Sequence, residues 1–71
     1  MTAYVAELEN QDLRLIKDGD PSVPFDIEVY PIYGRADADR WLEANGYVDD
    51  GRDWRKVQDS KPAIWIRVVT K

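Results

Sequence analysis

The stretch Tyr4-Val5-Ala6-Glu7-Leu8-Glu9-Asn10-Gln11-Asp12-Leu13-Arg14-Leu15-Ile16-Lys17 fixes how this chain must begin to fold. Two runs, Tyr4 to Leu8 and Leu13 to Lys17, flank the polar tetrad Glu9-Asn10-Gln11-Asp12. Apolar residues recur at every second position in them, the period of a half-buried strand. Joined by a four-residue loop, the runs set Leu8 opposite Leu13, Glu7 opposite Arg14, Ala6 opposite Leu15 and Val5 opposite Ile16. One face then carries Tyr4, Ala6, Leu8, Leu13 and Leu15, and the other carries the complementary pair Glu7 and Arg14. The apolar pattern and the charge pattern agree on one register, so the stretch reads as an antiparallel hairpin.

Working outward, Asp18-Gly19-Asp20-Pro21-Ser22-Val23-Pro24 is a turn-forming loop with two prolines. Phe25-Asp26-Ile27-Glu28-Val29 alternates strictly, with Phe25, Ile27 and Val29 toward the core, and Pro31 then ends the strand or holds it at an edge. A helix follows over Arg35 to Ala44, with Ala38, Trp41, Leu42 and Asn45 on one face and Asp37 and Asp39 near its positive end. Asn45-Gly46 supplies a left-handed stop. A helix this short depends on docking Trp41 and Leu42 onto a sheet. Tyr47-Val48-Asp49, the Asp50-Gly51 pair and the residues from Arg52 onward read as a tight hairpin. Ala63 to Val69 pairs back on Asp53 to Gln58 through Asp59-Ser60-Lys61-Pro62.

The order is therefore βββ-α-βββ in one domain, residues 1–71. It is an α+β fold: a mostly antiparallel sheet of five or six strands with one helix packed on one face. The alternative is a sheet curled into a partial barrel with the helix plugging its mouth. The expected core is Leu8, Leu13, Leu15, Phe25, Ile27, Val29, Trp41, Leu42, Ile64, Ile66 and Val68.

Composition narrows the chemistry. The chain has 71 residues, 44% of them hydrophobic, which is enough for a core and speaks against disorder. It has no Cys and no His, which removes disulfides, thiolate zinc sites, Cys nucleophiles and the commonest general base. Ser22 and Ser60 sit in proline-containing loops with nothing to activate them. The four glycines are isolated, so there is no phosphate-cradling loop. Asp18-Gly19-Asp20 hints at calcium, but the distant bidentate Glu of a calcium loop is missing. The reading is no enzyme, no metal and no cofactor. The longest apolar run, Ala63-Ile64-Trp65-Ile66, is far too short for a membrane span, and the expected setting is cytoplasmic.

Charge is distributed unevenly: residues 1–51 sum to 4 − 12 = −8 and residues 52–71 to 6 − 2 = +4. The basic part holds the most informative pattern. In the C-terminal hairpin, Val57 faces Ile64, Lys56 faces Trp65, Arg55 faces Ile66 and Trp54 faces Arg67. Val57, Ile64, Ile66 and Val68 share the face assigned to the core, and Trp54, Lys56, Trp65 and Arg67 share the other. If the helix covers the aliphatic face, two indoles and two cations form an open contact surface, with Tyr30 as a neighbour. The competing view is that the cations or a loop simply shield the indoles. The expected function is an accessory or regulatory protein that binds another protein, or a second copy of itself, through Trp54, Lys56, Trp65, Arg67 and Tyr30. The alternative is single-stranded nucleic acid stacked on Trp54 and Trp65, which the net charge of −4 disfavours.

Overall fold

The computed structural model describes residues 2–17 and 27–71. They form β1 (Ala3–Glu9), β2 (Asp12–Lys17), β3 (Ile27–Val29), α1 (Arg35–Ala44), β4 (Val48–Asp49), β5 (Arg55–Lys56) and β6 (Ile64–Thr70). The sheet runs β3-β2-β1-β6-β4, with β5 also on β6, and every pairing is antiparallel. It is the α+β layer expected from the chain order. The sheet stays open, with β3 and β4 at opposite ends, so the barrel alternative falls. The loop over residues 18–24, its Asp18 and Asp20, and the core role of Phe25 lie outside the described residues.

The first hairpin has the expected register, from Tyr4↔Lys17 to Glu9↔Asp12. Pairing continues one step further than the four-residue loop allows, leaving Asn10 and Gln11 as the turn, with Asn10 at φ 55. Asn tolerates that left-handed conformation better than other side chains do.

Gly34 stands at the N-cap of helix α1, and the Asp37 carboxylate accepts a hydrogen bond from the Tyr33 N–H at 3.0 Å. It ends in a Schellman arrangement: Gly46 N–H donates to the Glu43 carbonyl (3.1 Å) and Tyr47 N–H to the Leu42 carbonyl (2.9 Å). Gly46 sits at φ 85, where a side chain is strained.

The Asp50-Gly51 turn does not close a hairpin. Both β4 and β5 pair with β6, as two pieces of one interrupted edge strand. Asp49 opposes Val69 and Arg55 opposes Ile66, so residues 50–54 bulge out opposite only Arg67 and Val68. Three side-chain bonds shape the bulge: Asp49 Oδ1 accepts from Gly51 N–H (2.8 Å), Asp50 Oδ1 from Arg52 N–H (3.0 Å) and Asp53 Oδ1 from Trp54 N–H (2.8 Å).

The β1–β6 register decides which face is which. It sets Leu8 opposite Trp65, Ala6 opposite Arg67 and Tyr4 opposite Val69. The helix covers this face, where Ala6, Leu8, Leu13, Leu15 and Val69 meet Ala38 and Leu42 of α1, with Ile32, Tyr47 and Trp54 closing the core. Ile64, Ile66 and Val68 therefore point away from the helix, contrary to their expected core role, and Val68 is 38% exposed. Ile27 does lie in the helix-side row, opposite Leu15, but it is 38% exposed. Val29 and Trp41 are half-buried against the core, and Leu42 is fully in it.

Candidate functional site: the open face of the sheet

The Trp54, Lys56, Trp65 and Arg67 grouping shares a face, as the hairpin pairs Arg55↔Ile66 and Lys56↔Trp65 require, but that face is the covered one. Trp54 is 6% exposed, and its indole Nε1–H donates to Asp39 Oδ1 of the helix at 2.8 Å. Arg67 Nη1 donates to the same oxygen at 2.9 Å, and its Nη2 lies 3.2 Å from Asp49 Oδ2. Its Nε is buried without a partner among the described residues. Trp65 is half-buried, with the Arg35 guanidinium 4.0 Å above its ring, and Lys56 is exposed. Tyr30 is 67% exposed but follows β3, across the whole sheet from β5. The five residues do not form one open surface. Two of them fasten the helix instead, because an indole and a guanidinium beside a helix carboxylate gain more from docking than from solvent.

The uncovered face carries a different pattern. Reading across the strands, one row is Ile16, Val5 and Val68, and the next is Glu28, Arg14, Glu7, Ile66 and Arg55. A third row is Asp12, Glu9 and Ile64, joined by Val57, whose N–H donates to the Ile64 carbonyl (2.8 Å). The aliphatic side chains thus run down β6 and turn the corner through Val5 to Ile16. Beside them stands an acidic block. Arg14 Nε donates to Glu28 Oε2 at 3.3 Å and its Nη1 to Glu7 Oε1 at 3.5 Å, with Asp12 at 4.0 Å. The hydrogen bond from Glu28 is the main reason the Arg14 pKa is raised, burial opposing it and the charges of Glu28, Glu7 and Glu9 adding to it. The face totals two cations (Arg14, Arg55) against four acids (Glu7, Glu9, Asp12, Glu28), or −2. A notch of about 80 Å³ lies at its β6 side, floored by Val5, Ile66 and Val68 and walled by Asp50, Arg52, Asp53 and Arg55.

A larger cleft, about 560 Å³, opens on the other side between α1 and β4, lined by Asp39, Glu43, Tyr47, Asp49 and Arg67. Its one cation, Arg67, is already bound by two of its three acids, Asp39 and Asp49. Among the described residues no group of three or more acids is placed to hold a metal ion, and no helix is long and apolar enough to cross a membrane.

Fold and surface together define a small antiparallel α+β domain with one face of its sheet bare among the described elements. Comparison with known proteins finds no matching family model, no matching curated protein and no matching solved structure.

Sequence reasoning missed Val5, Ile16, Ile64, Ile66, Val68, Glu28 and Arg55 as site residues. The signal that points to them is the run of acids sharing the parity of Val5 on β1, Glu7 and Glu9, which keeps that face out of a dry core.

Proposed function

We propose that this chain is a non-enzymatic accessory or regulatory protein of the cytoplasm that binds another protein through the open face of its sheet. The observation that carries this reading is the aliphatic strip Ile16, Val5, Val68, Ile66 and Ile64, continuous over three strands beside an acidic block. A contiguous apolar patch rimmed by charge on a small domain is a contact surface more often than an accident of composition. One sheet edge supports the face over lateral strand addition: it is broken by the 50–54 bulge, a form that blunts pairing with further strands. Nucleic acid is the weaker reading, because the indoles that would stack bases are turned toward the helix and the open face is net acidic.

The test is a photo-reactive amino acid placed at Val68, compared with one at Ala36, which is exposed on α1. The Val68 probe is expected to capture a protein in the producing cells and the Ala36 probe is not. Capture of nucleic acid, equal capture at both positions, or no capture from Val68 overturns the reading.

A further inference from the structure

We infer that the partner element taken up by the open face is a basic amphipathic helix of about fifteen residues, laid along β6; this rests on the protein-binding reading above. Width comes first. The strip is concentrated on one strand, since β6 alone presents Ile64, Ile66 and Val68, with Val5 beside them on β1. A helix is about 10 Å across and strands are about 4.8 Å apart, so a helix over β6 covers that column and half of each neighbour. A second sheet would instead bury the whole acidic block under apolar side chains, which desolvates four carboxylates that share the single cation Arg14. Length follows from β6 itself: its seven residues span roughly 23 Å, the rise of about fifteen helical residues.

Charge sets the flanks. Along one side of the strip lie Glu7 and Glu9, two residues apart on β1 and so about 6.6 Å apart along the strand. That matches the roughly 5–6 Å between side chains one turn apart on a helix, so two Lys or Arg spaced i, i+4 meet both acids. Asp12 and Glu28 lie behind and extend the negative field, and Arg14 offsets only one of the four charges. On the other side of the strip Arg55 makes no ion pair among the described residues, and it accommodates an acidic residue on the helix's far flank. The notch floored by Val5, Ile66 and Val68 gives one aliphatic side chain of the helix a socket. A second copy of this chain fits worse, because it sets two faces of −2 against each other. Opposite charge across the interface raises the rate of encounter and excludes acidic helices.

The probes are two synthetic fifteen-residue peptides with the same leucine stripe, one with lysines along a flank and the other with glutamates there. Each is titrated calorimetrically into the full chain at low and high salt. The lysine peptide is expected to bind at least about tenfold more tightly than the glutamate peptide at low salt, and to lose most of that advantage at high salt. Glu9→Lys, which brings the face from −2 to 0, should remove most of the preference, and Val68→Asp should abolish binding of both peptides while leaving the far-UV circular dichroism spectrum unchanged. Equal affinity for the two peptides, affinity unmoved by Val68→Asp, or no binding of either overturns the inference. A protein captured by the Val68 probe alongside any of those results leaves the open face as a binding surface and removes only the basic helix. No capture and no peptide binding remove both. A dimer of the chain by sedimentation that Val68→Asp dissolves also overturns the inference, by naming a different occupant.

Discussion

Replacing Asp39 by Ala removes one carboxylate oxygen that two side chains share, and its cost follows from what each is left with. The Trp54 indole N–H, on a residue 6% exposed, loses its partner at 2.8 Å. An unsatisfied buried donor costs about 1–3 kcal/mol, and the lower half applies because Asp39 itself is 43% exposed and water can enter in its place. Arg67 loses its bond at 2.9 Å but keeps Asp49 at 3.2 Å, so it contributes about 1 kcal/mol more. The sum is roughly 2–3 kcal/mol, a large share of the roughly 4–10 kcal/mol that a chain of this size holds in all. Urea unfolding followed by circular dichroism at 222 nm measures it directly. With a slope of about 1 kcal/mol per molar, the midpoint should fall by about 2–3 M. A shift under about 0.5 M would mean that water replaces both bonds freely and that Asp39 does not fasten the helix.

Three further outcomes follow from the same geometry. Leu13→Ala, at a fully buried position, should cost about 2–5 kcal/mol in the same urea assay, and a loss below 1 kcal/mol would deny that Leu13 sits at the centre of the core. Gly46→Ala should cost about 1 kcal/mol through its φ of 85 alone, since the nearest atom to an added Cβ is Lys71 Cε at 3.9 Å; an unchanged midpoint would refute the Schellman stop. Arg14 has a raised pKa in the fold, so its contribution is complete below the ordinary guanidinium range and is lost only as pH climbs past it. Glu28→Gln should accordingly lower stability by the same amount at pH 7 and pH 9, and a difference above about 0.5 kcal/mol between the two would show that another group controls the row.

Register was legible in the sequence wherever two local patterns agreed. Leu8 with Leu13 and Glu7 with Arg14 bind the first hairpin to one alignment, and Val57 with Ile64 does the same for the last. Facing was not legible, because β6 is apolar on both sides: Ile64, Ile66 and Val68 on one, Trp65 and Val69 on the other. Which side meets the helix is set by the pairing of Ala6 with Arg67, 61 residues apart, and by the reach of Asp39 to Arg67 and Trp54. The Asp50-Gly51 signal misled for a related reason. A local preference for a two-residue turn yields when Trp54 and Arg67 gain a shared helix carboxylate by letting the edge strand bulge. Helix α1 was legible to its ends, since Gly46 and the apolar spacing of Ala38 and Leu42 are local features.

All three tryptophans lie on the helix side of the sheet. Trp41 stacks on Tyr47 with ring centroids 6.0 Å apart, Trp54 bonds Asp39, and Trp65 lies under Arg35. The open face carries no indole. The molecule is therefore optically one-sided: its indole emission watches the seam between helix and sheet and is blind to whatever settles on the opposite face. A spectral change on adding a ligand would report that the seam has loosened, and a silent spectrum alongside measured binding would locate the ligand on the dark side of the sheet.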